Sequence, residues 1–201
     1  MNNSEFIAAQ AMTVEMAGAK AIRAQGIENV ARVVNSVKVP VIGLVKSFTT
    51  DSDVYITPTV NDVLALEKAG AHIVAVDATQ RARFGGVTLD EFFAEVRKRT
   101  NIPLLADVDS VENAIYAEAL GFEAIATTLN GYTDLPSTGL PNVDLVLEIA
   151  KLIKVPLIAE GGFANPHQVK NAFINGAWAV CVGTAITNPY LLTKHFVAEG
   201  I

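Results

Sequence analysis

Two kinds of joint alternate along this chain, and together they restrict it to a tandem array of strands and helices. One kind places a glycine after a helix-like segment: Ala17-Gly18-Ala19, Ala69-Gly70-Ala71, Leu120-Gly121-Phe122 and Asn175-Gly176-Ala177. Glycine there supplies the left-handed residue that stops a helix. The other kind leads into an apolar run through proline, at Val39-Pro40, Ile102-Pro103 and Val155-Pro156. Proline forces its predecessor to be extended and is tolerated at the first position of a strand. The four cap glycines stand 52, 51 and 55 residues apart, so the repeating unit is strand-helix-strand-helix.

The apolar runs themselves occupy residues 19–24, 39–45, 72–77, 103–108, 124–129, 156–160 and 179–183. They are near-continuously apolar instead of alternating, the pattern of parallel strands covered on both faces. Between them lie helix start signals. Thr88-Leu-Asp-Glu91 reads as a capping box, and Asn165-Pro166 and Asn188-Pro189 each set a capping residue before Pro. The expected class is α/β, a TIM (β/α)8-type barrel with seven strands and eight helices readable. Such barrels hold about 250 residues and go down to about 200. The alternation calls for a strand before the first helix, residues 4–17, so the chain reads as a barrel lacking its first strand. An open doubly wound sheet is the alternative, disfavoured because nothing in the even repeat marks a reversal of strand order.

The chain has 201 residues, 51% of them hydrophobic, which is enough for one sizeable core; residues 1–201 are expected to form a single phosphate-binding (β/α) barrel domain. Fifteen Lys+Arg against 21 Asp+Glu leave a net charge of −6, which gives no support to a nucleic-acid or anionic-membrane partner. The segment Met1-Asn-Asn-Ser-Glu-Phe6 lacks the basic and apolar blocks of a signal peptide, and no apolar run reaches the ~18 residues of a membrane span. Cys181 is the one cysteine, so no disulfide forms within the chain, and its apolar neighbours mark it as a buried core thiol. A cytoplasmic protein is expected. Phe6 and Met12 on the first helix would lie uncovered without a preceding strand, which a homodimer could remedy.

In such barrels reactive groups project from the C-terminal ends of the strands. Those ends read Arg23, Lys46, Asp77, Asp107, Thr127-Thr128, Glu160 and Thr184, whereas the opposite ends read Gly, Pro and Ala, with His72 the main polar exception. Any one polar residue could be a snorkelling lysine or a turn-capping aspartate; the asymmetry is what marks a working face. Gly161-Gly162 before Asn165-Pro166, and Gly183-Thr184 before Asn188-Pro189, put glycines between strand and helix twice in succession. Glycine amides and helix N-termini suit a phosphate, and loops after the last two barrel strands often hold one. Tight turns would use the same glycines.

No metal is expected. His72, His167 and His195 are scattered, without ligand spacing. Asp77, Asp107 and Glu160 could in principle take magnesium, but nothing else favours it. Dinucleotide, Walker and nucleophile-elbow signatures are absent from the sequence.

Several stretches, in order along nearly the whole chain, resemble the N-acylglucosamine-6-phosphate 2-epimerase family, also called N-acetylmannosamine-6-phosphate 2-epimerases. They are Gly18-Ala-Lys-Ala-Ile-Arg-Ala24, Pro40-Val-Ile-Gly-Leu-Val-Lys46, Tyr55-Ile-Thr-Pro-Thr59, Val76-Asp-Ala-Thr-Gln-Arg81, Leu105-Ala-Asp107, Ala126-Thr-Thr-Leu-Asn-Gly-Tyr-Thr133, Ile158-Ala-Glu-Gly161 and Val182-Gly-Thr-Ala-Ile186. The resemblance implies a cofactor-independent isomerase of amino-sugar metabolism, acting in N-acetylneuraminate catabolism. It would interconvert N-acetylmannosamine 6-phosphate and N-acetylglucosamine 6-phosphate at C2. It further implies Lys46 and Glu160 as catalytic groups, and Arg23, Asp77, Arg81, Asp107, Thr128 and Tyr132 as substrate-binding groups. Gly161, Gly162, Gly183 and Thr184 would meet the phosphate. One departure stands out: the family's first strand carries a glutamine that faces the sugar, and this chain begins after it.

Epimerisation at C2 needs an opened ring, because only a C1 carbonyl makes the C2 proton acidic enough to remove. Two acid–base groups on opposite sides of the sugar would then exchange that proton. Counted with the missing strand, Lys46 and Glu160 fall on the third and seventh strands, across an eight-strand mouth from one another. A Schiff-base phosphosugar aldolase would also want a lysine at a strand end. A phosphosugar-binding barrel without turnover is the third reading.

Overall fold

The computed structural model describes residues 3–48, 50–135 and 139–199. The chain divides into two compact units, Met1–Asp107 with Ala119–Glu123, and Val108–Glu118 with Ala124–Ile201. The first holds helix α1 (Ser4–Met16), β1 (Ile22–Gln25), α2 (Ile27–Val34), β2 (Val41–Leu44), α3 (Val60–Lys68), β3 (Ile73–Asp77), α4 (Leu89–Arg99) and β4 (Leu104–Asp107). In the second come most of α5 (Val111–Leu120), then β5 (Ala124–Ala126), α6 (Val143–Ala150), β6 (Leu157–Glu160), α7 (Pro166–Ile174), β7 (Ala179–Cys181), α8 (Thr184–Thr187) and α9 (Pro189–Glu199).

Six of the seven strands fall inside the predicted apolar runs, and β1 runs one residue past its own, to Gln25. Within the first unit β1, β2, β3 and β4 pair in chain order, and every pairing is parallel. β5, β6 and β7 do the same in the second. Strand order reverses in neither unit, which removes the reason to prefer a doubly wound sheet. Among the described residues seven strands alternate with helices, the α/β pattern of a TIM (β/α)8-type barrel.

Every residue of β2 and β4 is buried, as expected of strands covered on both faces. Gly43 shows how tightly: a Cβ there would lie 3.0 Å from Ala71 Cβ and 3.2 Å from Leu66 Cδ2. The cap glycines Gly18, Gly70, Gly121 and Gly176 all have φ between 91° and 105°, the left-handed stop that the joints predicted. Thr88 forms the expected capping box with Glu91, and the expected cap at Asn165 closes a second box with Gln168.

A second repeat accompanies the glycines. Three residues before three of them stand Glu15, Glu67 and Glu118, and each reaches the segment ahead of the next proline joint. Glu15 Oε1 accepts from the Lys38 and Val39 amides at 2.6 and 3.0 Å. Glu118 Oε1 accepts from those of Lys154 and Val155 at 2.5 and 2.9 Å. Glu67 Oε1 takes the Thr100 hydroxyl at 2.6 Å. A proline at the first strand position leaves neighbouring amides in need of acceptors; Glu15 and Glu118 supply them directly, and Glu67 holds the Thr100 hydroxyl that takes the Ile102 amide.

Two expectations shift. The predicted last helix is two helices, since α8 is a single turn and α9 restarts at Pro189, making nine helices among the described residues. Asn188 between them has left the helical region (φ −116°, ψ 83°), as a residue before proline is biased to do. Cys181 lies in β7 and is half-buried, not sealed in the core. Among the described residues no helix is long and apolar enough to cross a membrane.

Candidate active site

The first unit carries five of the predicted residues, Arg23, Lys46, Asp77, Arg81 and Asp107; of these only Asp77 and Asp107 end strands, and Arg23 stands earlier in β1 than expected. Arg23, the second residue of β1, sends both terminal nitrogens to the carboxylate of Asp107, the last residue of β4: Nη1 to Oδ1 at 2.9 Å and Nη2 to Oδ2 at 2.6 Å. The Asp107 side chain is fully buried and that of Arg23 is 10% exposed. A planar bidentate pair of this kind fixes both side chains in direction as well as charge.

Asp77 ends β3 in register with Asp107, yet it belongs to a different cluster. Its Oδ1 accepts from the Thr79 amide at 3.0 Å and hydroxyl at 2.7 Å, and its Oδ2 from Arg81 Nη2 at 2.6 Å. Burial pushes the Asp77 carboxyl above its usual 3.8, against the pull of Arg81, Thr79 and Arg83. Both aspartates are thus engaged by arginines.

Arg83 escaped the sequence reading. Its guanidinium donates to the Asp77 carbonyl and stacks 5.0 Å over the Phe92 ring. Nε and Nη1 are buried without a hydrogen-bond partner. Desolvation lowers its pKa to about 10, partly offset by Asp77. The spacing Asp77-x-x-x-Arg81-x-Arg83 was the available signal, two arginines closing back on one aspartate, Arg81 on its carboxylate and Arg83 on its carbonyl.

Lys46 lies two residues beyond the end of β2, later than the apolar run implied. It is exposed, and among the described residues its Nζ takes part in no hydrogen bond or ion pair. Its backbone forms an antiparallel bridge with Ile56, so the segment after β2 folds back on itself. Thr57, next in line, is fully buried and has φ 46°. That conformation costs a β-branched residue about 1–3 kcal/mol.

In the second unit Glu160 ends β6. Thr128 Oγ1 donates to its Oε2 at 3.1 Å, while Thr127 Oγ1 accepts from its amide and donates to its carbonyl, both at 2.9 Å. Tyr132, four residues past Thr128, is 56% exposed. The loop bearing it is anchored by Asp109, whose Oδ2 accepts from Thr133 at 2.9 Å and whose carbonyl takes Asn130 Nδ2 at 2.8 Å.

Gly161 (φ 112°) and Gly162 (φ 72°) follow Glu160 directly. A Cβ on Gly162 would fall 2.5 Å from Leu140 Cβ, so close packing accounts for this glycine by itself. Gly183 differs, because a Cβ there would meet nothing within 4 Å. It precedes Thr184, the first residue of α8, and both are exposed.

Against this geometry stand the likenesses to known proteins. The profile of a family described as "Putative N-acetylmannosamine-6-phosphate epimerase" matches residues 7–200. The chain belongs to this epimerase family. Among relatives, a "Putative N-acetylmannosamine-6-phosphate 2-epimerase" of Caldanaerobacter subterraneus subsp. tengcongensis is 42% identical over 198 residues, covering 97% of this chain and 84% of that one. A protein of the same description from Clostridium perfringens (strain SM101 / Type A) is 36% identical over 197 residues, covering 98% and 89%. The solved N-acetylmannosamine-6-phosphate 2-epimerase from Clostridium perfringens superimposes with a TM-score of 0.93 at 34% identity, covering 98% of this chain and 86% of that one. This epimerase-family chain therefore shares the fold of that enzyme over nearly all its length.

Proposed function

We propose that the protein interconverts N-acetylmannosamine 6-phosphate and N-acetylglucosamine 6-phosphate by proton transfer at C2, as a cytoplasmic enzyme of N-acetylneuraminate catabolism. What carries this reading is Lys46, an exposed primary amine just past the end of a strand in a chain of this family. Once the sugar ring has opened, one of Lys46 and Glu160 removes the C2 proton. The C–H bond electrons move into an enolate whose negative charge is shared between C2 and the C1 oxygen. Return of a proton from the opposite face gives the epimer, so no net proton is consumed.

Donors preset toward the enolate oxygen lower the barrier because they need not reorganise during reaction. Arg23 and Asp107, locked as a pair, and Asp77 with Arg81 serve as orienting groups for hydroxyls and the N-acetyl group. Thr128 holds Glu160, and Tyr132 offers a phenol from its loop. Gly161, Gly162, Gly183 and Thr184 take the phosphate.

The test follows the C2 proton by NMR in deuterated water. Loss of the signal with growth of the other epimer is expected from the full chain. Lys46→Ala and Glu160→Gln should each abolish exchange while phosphate binding persists. Continued deuterium uptake by Lys46→Ala would remove that residue from the chemistry, and borohydride trapping of substrate on Lys46 would favour an aldolase.

We also infer a homodimer. Phe6 and Met12 are 38% and 41% exposed, and α9 presents Leu191, Leu192 and Phe196 to solvent. So much uncovered apolar surface is unusual on a monomer. Sedimentation at the monomer mass across micromolar concentrations would refute it.

A further inference from the structure

Thr57 is the only residue other than glycine with a positive φ among the described residues, and it is fully buried. Threonine suits that conformation poorly, since its branched Cβ crowds the backbone. Glycine would adopt it freely, so the side chain must supply something glycine lacks. The hydrogen bonds show what that is. Thr57 N–H donates to the Val45 carbonyl at 2.9 Å, and Thr57 Oγ1 accepts from the Val45 N–H at 3.3 Å. One residue thus grips both main-chain polar groups of Val45, whose neighbour is Lys46.

The grip continues on either side. Ser47 N–H donates to the Tyr55 carbonyl at 2.9 Å, and Lys46 pairs with Ile56. Ile56 in turn accepts from the Asp77 N–H at 3.0 Å. The left-handed turn at Thr57 therefore ends a short returning segment laid between the extension of β2 and the end of β3. Lys46 gains no such restraint from its side chain, which makes no polar contact among the described residues. A long flexible lysine is aimed by where its backbone stands.

We propose that Thr57 is a positioning residue for Lys46, clamping Val45 through its amide and hydroxyl and so setting the direction in which the lysine leaves the sheet. The proposal rests on the assignment of Lys46 to proton transfer. A misplacement of about 1 Å can reduce turnover by about a hundredfold, so the clamp should be felt in kcat more than in KM.

Three variants of the full chain separate the roles of hydroxyl and backbone. Thr57→Ser keeps the acceptor, and its kcat for C2 exchange should stay within about threefold of the parent. Thr57→Val keeps the shape and leaves the Val45 amide without its acceptor; its kcat should fall at least about tenfold with KM little changed. Thr57→Gly relieves the backbone and also lacks the hydroxyl, so it should lose kcat similarly while its thermal midpoint holds. Parental kcat in Thr57→Gly would overturn the proposal, as would losses in all three variants that simply track their thermal midpoints.

The clamp also has a readout apart from turnover. With lysines reductively methylated using ¹³C-formaldehyde, the Lys46 methyl resonance, assigned through Lys46→Arg, should move or broaden in Thr57→Gly but not in Thr57→Ser. An unchanged resonance in Thr57→Gly overturns the clamp. If the parent chain shows no C2 exchange, the epimerase reading fails on its own, and this resonance still decides the clamp.

Discussion

Arg23 and Asp107 form a bidentate ion pair between the first and the fourth strand of one parallel ladder. In a flat sheet those strands would stand about 14 Å apart, too far for contacts of 2.6 and 2.9 Å. The four strands must therefore curve toward one another on the face carrying the pair. A buried pair is weak as a source of stability but severe when halved. Arg23→Met should lose about 3–5 kcal/mol in urea unfolding, because Asp107 keeps its charge without its guanidinium. Adding Asp107→Leu should recover much of that loss while C2 exchange stays absent. Recovery of activity in the double variant would show that the pair only holds the curve.

Gly162 and Gly183 separate steric from chemical reasons for a glycine. At Gly162 a Cβ would collide with Leu140 at 2.5 Å and the φ of 72° is left-handed. Gly162→Ala should lose about 2 kcal/mol or more by thermal unfolding. Gly183→Ala meets open space and should leave stability within about 0.5 kcal/mol. Because that space is where a phosphate would approach, its KM should rise several-fold. An unchanged KM would take Gly183 out of the phosphate site.

Much of this arrangement could be read from the sequence because it is written in local chemistry. Cap glycines, proline joints and capping boxes act over three or four residues, so their spacing alone located the strands and most helices. The Glu-x-x-Gly repeat at Glu15, Glu67 and Glu118 was equally visible, but its meaning needed partners 23 to 37 positions away. Which arginine meets which aspartate was not legible. Arg23 bypasses Asp77 for Asp107, and Asp77 is claimed from within its own loop by Arg81 and Arg83, a choice set by sheet curvature. Thr57 looked like an ordinary member of Tyr55-Ile-Thr-Pro-Thr59, since strain at one φ leaves no mark on composition.

Glu118 gives a control remote from the working face. Its carboxylate holds the Lys154 and Val155 amides just ahead of β6, and charge-assisted bonds of this kind outweigh neutral ones. Glu118→Ala should lower stability by about 1–3 kcal/mol, or a few degrees in thermal midpoint for a chain of this size. Its kcat for C2 exchange at 25 °C should remain within about twofold of the parent. A large fall in kcat with the fold intact would mean that the two ends of the strands are coupled.

The cap of α4 predicts a pH dependence. Glu91 accepts from the Thr88 amide at 2.9 Å and hydroxyl at 3.0 Å, and these bonds hold its carboxyl below the usual 4.5. A carboxyl lowered in the fold contributes stability above its unfolded value, and that contribution drains away as pH falls through the lowered one. Glu91→Gln keeps an acceptor oxygen but has no proton to gain. The parent should therefore be the more stable of the two at pH 7, and the difference should close as pH falls from 4.5 downward. Thermal midpoints of both chains across that range provide the check, and a gap that stays constant with pH would mean that the Glu91 charge contributes nothing to the cap.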